Sequence, residues 1–204
     1  LRGGLGADAL YGGEGNDILD GEGGIDILVG GNGDDIYYLN SASEIADETG
    51  ANGYDTVIAL ASGTHLLGAN IEKLILQLGT AADNGTGNAL DNLMIGNARA
   101  NILDGLDGQD DLQGGAGNDT LNGGAGNDQL DGGDGLDLLN GGFGADTMIG
   151  GLRNDTYVVD DAGDIVVENL NEGVDLIQSS ISISLLVDNE IGRASCRERV
   201  SLNV

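Results

Sequence analysis

Apolar residues recur along this chain with a period that belongs neither to a helix nor to a simple strand. From Gly3 the chain reads GGLGADALY, GGEGNDILD, GEGGIDILV and GGNGDDIYY, without a gap to Tyr38. From Gly96 it reads GNARANILD, GLDGQDDLQ, GGAGNDTLN, GGAGNDQLD, GGDGLDLLN, GGFGADTMI and GGLRNDTYV, ending at Val158. Position eight of this unit is apolar in all eleven copies: Leu10, Leu19, Leu28, Tyr37, Leu103, Leu112, Leu121, Leu130, Leu139, Met148 and Tyr157. A helix face repeats every 3.6 residues and a half-buried strand every two. A nine-residue period sustained over two blocks marks a repeat architecture instead.

The unit itself predicts the local structure. Six residues carrying two or three glycines form a turn that needs positive φ and close backbone approach, and the next three form a short strand. In that strand the middle residue points opposite to its neighbours, so position eight faces inward. Two nonapeptides make one eighteen-residue coil. The expected fold is all-β, a parallel β-roll (a right-handed β-solenoid) with strands stacked about 4.8 Å apart. Two departures put local geometry in question: Leu106 stands at position two and Arg153 at position four, both normally glycine.

The period divides the chain into a first nonapeptide block at 1–38, a strand-rich spacer at 39–95, a second block at 96–158 and the start of a second spacer at 159–190. Spacer segments such as Asp55–Leu60 and Leu74–Leu78 read as strands between Gly, Asn and Ser turns, so further coils with longer turns are expected. The first spacer recurs 120 residues later. DIYYLNSASEIADE aligns with DTYVVDDAGDIVVE, and Asp35/Asp155, Tyr37/Tyr157, Glu48/Glu168, Gly53/Gly173 and Asp55/Asp175 are identical. Tyr37 and Tyr157 are expected to pack in the core and cap the apolar column where each block ends.

Position six carries the chemistry. It holds Asp8, Asp17, Asp26, Asp35, Asp110, Asp119, Asp128, Asp137, Asp146 and Asp155, and Asn101 in the remaining copy. Stacking coils places these residues over one another, pairing 8/26 and 17/35 in the first block and 101/119, 119/137, 137/155, 110/128 and 128/146 in the second. Two unit charges about 5 Å apart repel by roughly 0.8 kcal/mol in bulk water and about 3 kcal/mol at an effective dielectric near 20. The whole chain is acidic, with 35 Asp and Glu against 7 Lys and Arg and a formal net charge of −28. Such a chain is either self-repelling and disordered or a partner for cations. Carboxylates with glycine-turn carbonyls, and no His or Cys among them, are hard oxygen ligands that suit Ca²⁺ better than Zn²⁺ or Mg²⁺. The 101/119 pair, with one uncharged amide, is expected to be the weakest site. Position nine, occupied by Asp131 in one repeat, is expected to face solvent.

The pattern GGxGxDxUx is the known calcium-binding nonapeptide of RTX proteins, so its assignment is a match to an existing motif. The chain resembles that haemolysin-type family over nearly its whole length. The resemblance implies calcium as the bound ion, a β-roll that folds on binding it, and a secreted, extracellular bacterial protein exported unfolded by a type I secretion apparatus. The NDTYVV spacer resembles those of very long RTX proteins, which implies a larger modular parent: a toxin, an adhesin or an exoenzyme. The alternative is the C-terminal module of a secreted protease, lipase or polysaccharide epimerase.

Other function classes find little support. A glycine-rich linker has no reason to keep an apolar residue at every ninth position, and an EF-hand loop ends in a bidentate Glu between helices. With 39 Gly, no Pro, no Trp and 3% aromatics, the chain is too poor in bulk for a conventional core. Nucleic acid needs a basic footprint. No apolar run approaches the roughly 18 residues of a membrane helix. The single histidine, His65, excludes HExxH, and neither GxSxG nor a P-loop is present; the segment is not expected to be an enzyme. His65 is expected in a spacer turn without metal-ligand company, and a lone Cys196 excludes an internal disulfide.

The last residues break the pattern. The 120-residue offset calls for a counterpart of Ile71–Leu76 near Ile191, yet the chain reads IGRASCRERV, holding three of the seven basic residues and the sole Cys. Back-translated, this segment resembles a common sequencing-adapter oligonucleotide read in frame, so residues 191–204 are expected to be non-native and the chain a fragment. Resequencing the locus from adapter-trimmed reads should replace them with a strand resembling residues 71–78. Recovery of the same residues from untreated genomic DNA would show them to be native.

Overall fold

Stacked nonapeptides leave the backbone a single way to satisfy its amides, by pairing each strand with the strand one full coil away. In the computed structural model, which describes residues 1–48, 52–77, 83–170, 172–181 and the backbone of 201–202, every strand pair is parallel and no described residue is helical. Odd-numbered strands in chain order build one ten-stranded sheet. Even-numbered strands build the opposite face as a three-stranded sheet and, joined by the last strand Ser201–Leu202, an eight-stranded sheet. The chain is therefore an all-β parallel solenoid. Among the described residues no helix is long and apolar enough to cross a membrane.

Position eight lines both inner faces. One ladder runs Leu19, Tyr37, Val57, Leu74, Met94, Leu112, Leu130, Met148 and Val166. On the opposite face Leu10, Leu28 and Ala46 form one segment. His65, Gly85, Leu103, Leu121, Leu139, Tyr157 and Ile177 form the other. Nearly all are buried in one apolar cluster. Gly85 owes its place to space: Leu74 and Met94 of the opposite sheet close over it, and a Cβ there would stand 2.6 Å from Leu74 Cδ2.

The spacers join the same ladders. Register is 18 residues inside the blocks, 20 between Tyr37 and Val57 and between Tyr157 and Ile177, and 17 between Val57 and Leu74. Tyr37 and Tyr157 are fully buried, but they do not cap the column, because Val57 and Ile177 continue it. His65 lies in the strand Thr64–Leu66, not in a turn, with its ring 2% exposed and Nε2 bonded to the Ala61 carbonyl at 2.8 Å. Residues 191–200, 203 and 204 lie outside the described residues, and Ser201–Leu202 add a two-residue strand beside Leu176–Ser179.

The strands are longer than the repeat predicts. They span six residues, as in Ile18–Gly23, Thr120–Ala125 and Leu138–Phe143, taking in positions seven to nine and the first three of the next unit. Only three residues remain for the turn. The glycines do not end the strand because their ladder bonds continue, as between Gly13 and Gly31 or Gly124 and Gly142. Positive φ falls at positions two and four, and three residues that replace glycine there adopt it: Glu22 has φ 63°, Leu106 φ 81° and Arg153 φ 89°. Stacking overrides the side chain's preference for negative φ, which costs about 1–2 kcal/mol. Arg153 recovers part of this by pairing with Asp134 at 3.0 Å, whereas Leu106 is 42% exposed. Leu106→Gly is therefore expected to stabilise the fold by up to about 1 kcal/mol. Gly124→Leu, one coil along the same ladder, should destabilise it. Thermal melts in calcium decide, and a lower midpoint for Leu106→Gly would show that its side chain contributes more than the strain removes.

Candidate calcium site

Each three-residue turn is held by side chains that bond to the neighbouring coil. The position-six amide donates to Oδ1 of the position-six carboxylate one coil on: Asp8 to Asp26 at 2.7 Å, Asp110 to Asp128 at 2.9 Å, Asp119 to Asp137 at 2.7 Å and Asp137 to Asp155 at 2.8 Å. A second ladder runs in the opposite sense at position five, where side-chain oxygens of Asn16, Asn118, Asn127 and Asn154 accept amides from the following coil. Neither ladder is legible in the repeat, which shows the residues but not which atom meets which.

This use of Oδ1 leaves the other oxygen over. Asp8 and Asp17 are half-buried, and the remaining position-six residues are at most 2% exposed. Oδ2 of Asp8, Asp26, Asp35, Asp110, Asp119, Asp128, Asp137, Asp146 and Asp155 is buried without a hydrogen-bond partner. Each points at the first glycine of its own repeat, and for Asp8, Asp110, Asp119, Asp128 and Asp137 the carbonyl of the equivalent glycine one coil on stands beside it. A Cβ on Gly132 would stand 2.6 Å from Asp137 Oδ2 and 2.7 Å from Gly150 O. The glycine thus clears a cradle lined by a carboxylate oxygen and a carbonyl oxygen, both hard ligands. Buried orphan oxygens are rare in native proteins, and a bound Ca²⁺ would satisfy these.

Asn101 behaves differently. Its Oδ1 accepts the Asn97 amide at 2.8 Å and its Nδ2 donates to the Asp83 carbonyl at 2.5 Å. Asn92 repeats the arrangement with Asn88 and Ile71. An amide group here supplies the positive end that a carboxylate lacks, so these spacer-side turns are closed by hydrogen bonds.

The ladder also reaches residues to which the repeat assigned no role. Asp55 Oδ1 accepts the Asp35 amide at 2.7 Å, Asp164 the Asp146 amide at 3.2 Å and Asp175 the Asp155 amide at 2.9 Å. Asp35, Glu48 and Asp55 bring carboxylate oxygens within 4.8 Å of one another, as do Asp155, Glu168 and Asp175. The signal was present in the 120-residue duplication, where all three are identical.

Burial dominates the electrostatics. It raises Asp110 to about 7 against the Asn92 amide, with Asp128 adding to the rise, and it raises Asp119, Asp146 and Asp155 to about 6. Burial likewise lifts Glu48 to about 7, with Asp55 and Asp35 adding to it and the nearby Gly30 and Gly31 amides offsetting only part. The metal-free fold therefore holds more protons than the unfolded chain between the ordinary carboxylate range near 4 and about 7. Its stability is fullest at the acid end of that window and is lost as pH rises through 6 to 7. In chelator, circular dichroism should show β structure diminishing from about pH 5 to about pH 7.5, and the calcium midpoint should rise as pH falls because protons compete for the same oxygens. Metal-free stability that increases over this range would contradict the assignment.

Comparison with known families agrees with this geometry. A model of the RTX calcium-binding nonapeptide repeat matches residues 1–28, 11–41, 86–121, 104–139 and 122–157, more than half of the chain. No curated protein gives a significant match. RTX repeats bind calcium, and the matched ranges hold the orphaned carboxylate oxygens. The chain belongs to the family of RTX calcium-binding nonapeptide repeat proteins.

Proposed function

We propose that this chain is a calcium-responsive module of a larger secreted bacterial protein, unfolded where calcium is scarce and folded into its β-roll at the millimolar calcium found outside the cell. The observation that carries this reading is the row of nine position-six Oδ2 atoms buried without partners. Without a cation they repel one another and lack the hydration they have in the unfolded chain. With one, binding free energy becomes folding free energy. Extracellular sites with Kd near 10⁻⁴ to 10⁻³ M suit such a switch. The ligands are Asp8, Asp17, Asp26, Asp35, Asp110, Asp119, Asp128, Asp137, Asp146 and Asp155, with Asn101 contributing least because its amide is already bonded. The segment acts as a binding and structural element, and its acidic residues find their use in the ladder.

The test compares two carboxylates of one repeat. Asp128 is 1% exposed, with Oδ1 on the Asp110 amide and Oδ2 orphaned, while Asp131 is exposed at position nine. Both substitutions to Ala remove one negative charge. Circular dichroism of the full chain should show disorder in chelator and β structure in millimolar Ca²⁺, with Mg²⁺ a poor substitute because it dehydrates reluctantly. Asp128→Ala should raise the calcium midpoint and blunt cooperativity between coils; Asp131→Ala should leave it nearly unchanged. A complete β spectrum in chelator at pH 7.5 would overturn the switch, and equal midpoints would show that position six is not the ligand column.

A further inference from the structure

The repeat breaks at the same place in both copies, and the break puts an extra carboxylate into the cradle. Within a block, the residue 18 positions after a first glycine is another glycine, whose carbonyl faces the orphan Oδ2. After Gly30 and Gly150 the ladder continues in register, with Val29 beside Asp47 and Ile149 beside Val167. The next residues, one coil beyond those two glycines, are Glu48 and Glu168. Asp35 Oδ2, Tyr37 Oη and Glu48 Oε1 converge on the space over Gly30, and Asp155 Oδ2 and Tyr157 Oη on that over Gly150.

These groups are built in, not gathered by chance on an acidic surface. Asp35 is 0% and Glu48 1% exposed, and Asp35 Oδ2 and both Glu48 oxygens have no hydrogen-bond partner. The remaining atoms are fixed: Asp35 Oδ1 accepts the Asp17 amide at 2.6 Å, Asp55 Oδ1 accepts the Asp35 amide at 2.7 Å, and Tyr37 Oη accepts the Gly30 amide at 2.7 Å. The second copy repeats the frame, with the Gly150 amide on Tyr157 Oη at 2.6 Å, that hydroxyl donating to Glu168 Oε1, and Asp155 Oδ2 left over.

We propose that each nonapeptide block ends in a three-carboxylate calcium site, Asp35–Glu48–Asp55 and Asp155–Glu168–Asp175, that fills before the repeat sites and locks the block to its spacer. The inference rests on the calcium-binding reading above and adds two sites to it. Ligand charge is what tunes calcium affinity across oxygen sites; these cradles hold three carboxylates where a repeat cradle holds a carboxylate and a glycine carbonyl. Because Asp55 and Asp175 belong to coils offset by 20 residues, an ion here holds together two coils of different length.

The test is calorimetric titration of the full chain with calcium, wild type against E48Q/E168Q, together with Tb³⁺ luminescence excited through tyrosine, the antenna that a chain without Trp provides. The double Gln variant keeps side-chain size and removes buried unpartnered charge, so its metal-free form should be no less stable than wild type. It is expected to lose the two tightest sites, weakening the first binding phase by roughly tenfold or more, while later phases persist. Tyr37→Phe with Tyr157→Phe should lose most of the sensitised emission while still binding calcium. A wild type that binds calcium in the same phases and stoichiometry as E48Q/E168Q would overturn this proposal alone. Undiminished emission from the Tyr variant would also overturn it. A wild type that takes up no calcium would overturn the calcium-switch reading together with it.

Discussion

The structure depends on one hydrogen bond repeated up the solenoid, from the position-six amide of one coil to Oδ1 of the position-six carboxylate in the next. It closes a turn of only three residues and pins the register between coils. It also turns the second oxygen inward, where it is buried without a partner. A carboxylate is the residue that does all of this at once: it accepts an amide with one oxygen and still carries charge on the other. The same interaction that shapes the backbone therefore creates the demand for a cation.

Glycine makes this arrangement possible by what it leaves out. At position one it clears the cradle over the orphan oxygen, and at positions two and four it adopts the positive φ that the tight turn requires. The exceptions show how firmly stacking imposes the geometry. Leu106 and Arg153 adopt the positive φ of the glycines they replace. The apolar columns supply the cohesion. They run without interruption on one face, and on the other they break between Ala46 and His65, where the two sheets of that face meet without pairing.

Position six is also where the chain switches between two ways of satisfying a buried turn. With Asp, an oxygen is left for a cation. With Asn, as at Asn92 and Asn101, the amide nitrogen bonds a carbonyl of the preceding coil and the turn closes by itself. The blocks thus keep an oxygen free for a cation and the turns at Asn92 and Asn101 close by hydrogen bonds, a division set by the difference between one oxygen and one nitrogen.

The sequence by itself determined the all-β parallel solenoid, the inward column at position eight, the acidic column at position six and the chemistry of the ion, because each repeat reports the same steric and electrostatic demand and eleven copies leave an apolar column and a nearly all-Asp column in view. Only the tertiary structure decided how the atoms are shared. Whether Oδ1 or Oδ2 is spent on the backbone, and which carbonyl faces the remaining oxygen, depend on contacts between residues 18 apart, which no single repeat contains. Six-residue strands escaped the reading because glycines that look like turns still donate and accept ladder bonds when a neighbouring coil is present. The spacers were legible as strands but not as registers of 17 and 20, since without a period there is nothing in the sequence to count. Glu48 and Glu168 stood out as duplicated residues, yet that Glu48 Oε1 stands over Gly30 and Glu168 Oε1 accepts the Tyr157 hydroxyl is visible only once the coil has closed.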